Sequence, residues 1–408
     1  MRINYLLKLK SIFSIYRGLP QAIYIVFICR LINAMGYFVF PFLTLFLSIN
    51  LSLSADKVGI YLMLVEAGRI SGALFGGRFT DLFGRKKSLI IFQLAIAIFL
   101  LPCAFLNHSF LIPKLLIAAA FFNGATRPVY DAIMVDLSYP QNRKEVFSFI
   151  YLGVNLGFGV GSLIAGFLYV QHVKYLFLGN VAAIFIVCIF ISLYIGETLP
   201  EEIKKDNGSN NSANKESLLI QLLKKPAVLS FSLVSILFYL THSQLSFSLP
   251  LQINELFGQN GPRNFGIIMS FNCFIVVFMT MPVTFISREF RPILNVTFSG
   301  ILFAIGFGML YWIVSFPWIL ISTFIWTIGE ILIRTNAGVY IANHSPKTHR
   351  GRFNSLVIIS GSIGRLIGPP MLGILIAGIE IRMVWIFVFF NSMIATGLMF
   401  KIYYSESR

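Results

Sequence analysis

Eight charged side chains lie inside long apolar stretches of this chain: Arg30, Glu66, Arg69, Arg127, Asp131, Glu330, Arg334 and Arg365. Placing one such charge in the middle of a bilayer costs roughly 2.5–3.5 kcal/mol, so each needs a reason. Arg127 and Asp131 are four residues apart, as are Glu330 and Arg334. Four residues is one helical turn, so each pair shares a face and is expected to form an internal ion pair. Glu330 falls about 20 Å along its helix at 1.5 Å per residue, close to the midpoint of a span. A carboxyl held there is a candidate proton carrier, and Glu66 and Asp131 are further candidates. Arg30 carries Asn33 and Tyr37 at i+3 and i+7 on the same face. An Arg30–Glu66 pair between neighbouring helices is one expectation for these two residues. The other is that Arg30 lines a cavity. His242 and Gln244 interrupt an apolar run near Tyr239. With Arg30, Asn33, Tyr37, Arg127 and Arg334 they complete the residues expected to line a substrate cavity.

The elements that hold these charges follow from composition. Of 408 residues, 57% are hydrophobic and only 12% are charged. A soluble domain carries roughly 25% charged residues. The mean hydropathy is +0.81. So much apolar surface needs lipid as its solvent. The four cysteines, Cys29, Cys103, Cys188 and Cys273, all fall in apolar runs and read as small buried hydrophobes.

A helix needs roughly 20 apolar residues to cross a bilayer. The pattern gives spans at 21–48, 57–79, 87–106, 111–136, 145–170 and 175–195. A second set follows at 226–252, 264–286, 293–315, 317–341, 353–379 and 383–404. The expected fold is therefore all-α and membrane-integral, with twelve transmembrane helices in two six-helix bundles. The domains are expected at 1–195 and 226–408, joined by a linker at 196–225. The stretch Lys204 to Ser217 is rich in Asn, Ser, Lys and Gly and reads as disordered. Leu218–Leu223 is expected to form a short interfacial helix. The basic start, with Arg2, Lys8, Lys10 and Arg17, precedes an apolar span too long for a signal peptide. The first span is therefore expected to be retained.

With the N-terminus inside, 22 Lys and Arg fall in cytoplasmic segments and 5 in outer ones. That bias expects both termini in the cytoplasm and the chain in the cytoplasmic membrane. It also accounts for most of the net charge of +16 without a nucleic-acid partner.

The two halves share a repeat. Arg127, Arg143, Gly157, Gly161 and Gly166 recur as Arg334, Arg350, Gly364, Gly368 and Gly373, each displaced by 207 residues. Internal repeats of this kind place a substrate site near the midplane, between the halves.

After the second span the chain reads Gly77-Arg-Phe-Thr-Asp81-Leu-Phe-Gly84-Arg85-Lys86-Lys87. This resembles the signature loop between helices 2 and 3 of the major facilitator superfamily. Gly77, Asp81, Gly84, Arg85 and Lys86 fall on the pattern, and Leu82 stands where the family usually has a basic residue. The resemblance implies the major facilitator fold and a conformational latch. In that latch Asp81 meets the start of helix 11, and Arg85 pairs with an acid at the end of helix 4, here Asp136. Gly68, Gly72 and Gly76 lie four apart on helix 2 and allow close approach of a neighbour. Asp136-Leu-Ser-Tyr-Pro-Gln-Asn-Arg143-Lys144 and Trp326-Thr-Ile-Gly-Glu330 resemble the twelve-span drug:proton antiporter branch. One departure is the absence of proline from helix 5, whereas Gly368-Pro369-Pro370 sits in helix 11.

The resemblance implies proton-coupled export of lipophilic or amphipathic small molecules by a monomer in the lipid bilayer. The embedded arginines keep open a second cargo class, an anionic metabolite or chelator, and a lipid flippase is a third. No metal-spaced His/Cys/Asp cluster, nucleophile elbow or phosphate loop occurs. The chain is expected not to be an enzyme and to need no cofactor or metal.

Overall fold

The computed structural model describes residues 16–106, 109–199, 225–345 and 350–406. The Lys204–Ser217 and Leu218–Leu223 segments lie outside the described residues. The helices are α1 (Gln21–Met35), α2 (Ala55–Phe83), α3 (Arg85–Leu100), α4 (Leu111–Asp136), α5 (Arg143–Gln171) and α6 (Lys174–Tyr194). The second set is α7 (Pro226–Ser243), α8 (Gly261–Ser287), α9 (Pro292–Gly308), α10 (Phe316–His344), α11 (Arg350–Ile376) and α12 (Val384–Glu406).

Among the described residues nine stretches are long and apolar enough to cross a membrane. One of them, Pro226–Ser287, runs 62 residues and holds two passes. The charge-bearing α4 and the interrupted first span bring the passes to the expected twelve.

Two spans expected as single helices are broken. The first stops at Met35 and resumes as Leu43–Leu45, then Phe46–Asn50. Pro41 explains the break, because it lacks an amide hydrogen and pushes the residue before it out of the helical region. Tyr37 therefore leaves the helix face that carries Arg30 and Asn33, which corrects the expected i+7 alignment. The seventh span breaks over residues 244–247 and resumes as Ser248–Phe257. Gln244 closes this break. Its amide nitrogen donates to the Leu240 carbonyl at 3.1 Å and the Ser243 hydroxyl at 2.9 Å. Its amide oxygen accepts from Ser248 at 2.8 Å.

The chain forms two compact units. One takes in Met1–Val39, Gly68–Ser162 and His172–Asn210, and the other Phe40–Ala67, Leu163–Gln171 and Asn211–Arg408. In the first unit α3 packs on α4 and α6, and α1 on α6. Its apolar centre includes Phe92, Val129, Tyr130, Ile133, Val146, Ile150 and Val187. In the second unit α9 packs on α10 and α12, and α7 on α11 and α12. The α9–α10, α9–α12 and α7–α12 pairings repeat α3–α4, α3–α6 and α1–α6. Phe307 lies flat against Trp326 and Trp385, with centroids 5.3 and 5.9 Å away.

Glycine sets the helix spacing. A Cβ on Gly72 would lie 1.7 Å from the Phe121 carbonyl oxygen, and one on Gly76 2.4 Å from that of Ala125. The small face of α2 thus lets the α4 backbone make direct contact. The 207-residue repeat is visible in the same contacts. Gly157 and Gly161 press on the α1 carbonyls of Leu31 and Met35, while Gly364 and Gly368 press on α7 around Ile236, Tyr239 and Leu240. Gly166 meets Pro262 and Arg263, and Gly373 meets Ala55 and Asp56, again 207 residues away.

Candidate functional site

The Gly77–Lys87 segment runs through the end of α2, turns at Gly84 alone and continues as the start of α3. Gly84 has φ +94°, a conformation that strains any residue with a Cβ. Gly77 has no atom within 4 Å of where a Cβ would stand, so packing does not demand a glycine there. Arg85 opens α3 and is buried. Its Nη1 lies 2.5 Å from Asp81 Oδ1 and its Nε 3.3 Å from Asp136 Oδ2. Asp136 also accepts the Thr198 hydroxyl at 3.2 Å, and Lys86 donates to the Ser192 carbonyl at 2.7 Å.

Asp81 was expected at the start of helix 11, and its described ion partner is Arg85. An acid from the expected linker, Glu197, stands at the start of α3. It accepts the Arg85 backbone N–H at 2.7 Å and those of Thr198 and Leu199 at 3.0 and 3.1 Å. A Cβ on Gly84 would come within 2.4 Å of its Oε2. The available signal was an acid directly after the sixth span, in Gly196-Glu197-Thr198.

In the second unit three helices converge on Glu330, which is only 6% exposed. Arg334, one turn on, donates from Nε to Glu330 Oε1 at 2.7 Å. His242 of α7 brings Nε2 to 3.3 Å from the same oxygen, within ion-pair range but not aligned for a hydrogen bond. Asn272 of α8 donates to Oε2 at 3.1 Å and to the Thr327 hydroxyl at 3.0 Å. The structure thus gathers Glu330, Arg334 and His242 and adds Asn272, which the sequence reading missed. An asparagine in an apolar helix was its only signal.

Glu66 does not pair with Arg30. Its Oε1 accepts Arg365 Nε of α11 at 2.8 Å, and Arg365 also reaches Ser362 at 3.4 Å. Span-order proximity suggested the wrong arginine, because Arg365 sits on the helix that lies against this end of α2. Arg30 instead stacks on Tyr130, with its guanidinium carbon 4.5 Å from the ring centre. Gln93 donates to the Tyr130 hydroxyl at 3.3 Å.

The expected Arg127–Asp131 pair does not close to within 4 Å among the described residues, and both side chains are exposed. The order of charges accounts for the contrast with Glu330 and Arg334. An acid preceding a base by one turn is the favourable orientation on a helix, and Arg127–Asp131 has the reverse. Asn33 is half-buried on α1, and Tyr37 sits 6.4 Å from Phe158. Gln244 is fully buried, with its amide engaged in the helix break.

Two sets of membrane-length helices related by a repeat, with buried, ion-paired carboxylates inside the apolar spans, define a polytopic membrane transporter. The chain belongs to the Major Facilitator Superfamily, whose family model matches residues 26–369 and 296–408. It is 25% identical over 364 residues to the Na(+), Li(+), K(+)/H(+) antiporter of Planococcus maritimus, covering 83% of this chain and 85% of that one. It is 24% identical over 240 residues to the multidrug resistance protein MdtH of an Enterobacter species, covering 58% and 57%. Among solved structures, the peptide transporter POT in complex with sulfate superposes with a TM-score of 0.73 at 15% identity, covering 95% and 98%. A mutant nucleoside transporter NupG gives 0.76 at 14%, covering 92% and 99%. These two show the fold.

Proposed function

We propose that this transporter is a secondary active, proton-coupled exporter of lipophilic or amphipathic small molecules, with Glu330 as its proton carrier. The observation that supports the reading is the surroundings of Glu330. A buried carboxylate faces two alternative basic partners and an amide, so protonating it would release Arg334 and His242 together. Such a site couples one proton to a rearrangement of α7, α8 and α10. The relatives named as a cation/proton antiporter and a multidrug resistance protein are in keeping with this reading.

Both termini face the cytoplasm, the chain acts as a monomer in the cytoplasmic membrane, and protons and the cargo are its partners. Arg85, between Asp81 and Asp136, acts as the latch that holds one conformation. Glu66 and Asp131 are secondary proton sites.

The test uses purified protein in proteoliposomes with an acid interior. Uptake of ethidium that depends on the pH gradient, and is lost in Glu330→Gln, is expected. A second arm adds Na+, Li+ or K+ without dye. Gradient collapse driven by these ions alone, with no dye movement, replaces small-molecule export with inorganic cation exchange. No response to any of them refutes the proton-coupled reading.

A further inference from the structure

Two of the embedded carboxylates each hold an arginine. In the second unit Glu66 and Glu330 are matched by Arg365 and Arg334.

Arg30 is placed differently. Its guanidinium lies over the ring of Tyr130, which is buried and tied to Gln93. Cation–π contact uses the face of a guanidinium and leaves its in-plane N–H groups free. The Arg30 Nε is shielded from solvent and has no hydrogen-bond partner. No carboxylate comes within 4 Å of Arg30 among the described residues. Arg30 is half-buried, and a shielded guanidinium N–H in this state is costly unless something pairs with it.

Arg127 and Asp131 are exposed on α4, the helix that carries Tyr130. Charges at that depth do not face lipid, so this side of α4 faces a water-filled cavity. One turn before Arg30 on the same helix, Phe27 stacks on Phe149 at 4.1 Å.

We infer that Arg30, assisted by Arg127, is a subsite for a carboxylate on an amphipathic, aromatic cargo, with Asp131 placed to meet a cationic group on the same molecule. The fork of N–H donors suits a carboxylate, which it can bind through two parallel hydrogen bonds. This substrate class rests on the export reading above, and it narrows that reading from lipophilic compounds in general to those bearing an anionic group.

The test compares rhodamine 110 with its methyl ester, rhodamine 123, which share one ring system and differ in a free carboxylate. Binding to the purified protein is read by fluorescence polarisation, and transport in proteoliposomes with an acid interior. Arg30→Gln is expected to weaken rhodamine 110 binding by about tenfold or more, the effect of losing one charge-assisted hydrogen bond. The ester is expected to change by less than about twofold. Arg30→Lys keeps the charge and is expected to recover part of the loss. Equal weakening of both dyes, or unchanged affinity for rhodamine 110, overturns the subsite. If Arg30→Gln does not reach the membrane, Arg127→Gln is read by the same comparison. Selective binding without gradient-driven transport would sink the export reading and leave the anion subsite standing.

Discussion

Arg85 lies between two carboxylates of unequal exposure, Asp81 at 51% and Asp136 at 13%. An exposed pair contributes about 0–1 kcal/mol, while removing one partner of a buried pair costs about 3–5 kcal/mol. Asp136→Asn is therefore expected to lower the melting temperature of the detergent-solubilised protein more than Asp81→Asn. Near-equal shifts would contradict that ranking. Glu197 gives a second residue-scale prediction. Glu197→Gln weakens the acceptor at the start of α3 and should cost about 1 kcal/mol, as loss of a helix cap does. Gly84→Ala should cost more, because its φ of +94° is strained for alanine and the new Cβ meets the same carboxylate. Thermal melts of the two variants in one detergent decide the order. The residues involved were legible to different degrees. Arg85 and Asp136 were found through the family-like loop, and Glu330 with Arg334 through one-turn spacing. Asn272 and Glu197 escaped, because an isolated polar residue carries no periodic pattern.

At the scale of helices, contact between α2 and α4 is set by backbone against backbone at Gly72. Gly72→Val should force the two helices apart and abolish monodisperse protein on size exclusion. Gly77→Val, five residues on, has open space around it and should leave the elution profile unchanged. A well-behaved Gly72→Val protein would mean that α4 can retreat. Spans were legible here because twenty apolar residues leave few alternatives in a bilayer. The breaks at residues 36–42 and 244–247 were not. The first follows from Pro41 and the second from the local bonds of Gln244, and neither residue ends the apolar span that contains it.

Across the whole molecule, Glu66 and Arg365 join residues 299 positions apart. Glu66→Arg should strongly impair folding or transport, because it sets two guanidiniums against each other. Adding Arg365→Glu should restore much of the loss, measured as dye export in vesicles. No recovery in the double variant would assign the pair a role beyond its charge complementarity. The twelve passes and their division into related halves were legible from hydropathy and the repeated glycines. The compact units were not, since Phe40–Ala67 and Leu163–Gln171 join the second half through contacts such as Gly59 with Pro369.

The displacement of 207 residues has a consequence for how this chain came to do chemistry. The glycines that seat helix on helix survive in both copies, as do Arg127 and Arg334. Most other embedded charges have no twin. Arg30 stands opposite Leu237, Glu66 opposite Cys273, Asp131 opposite Gly338, His242 opposite Met35, Glu330 opposite Asn123 and Arg365 opposite Phe158. If the halves descend from one duplicated ancestor, the scaffold is what the copies inherited in common, and the working parts lie where they diverged.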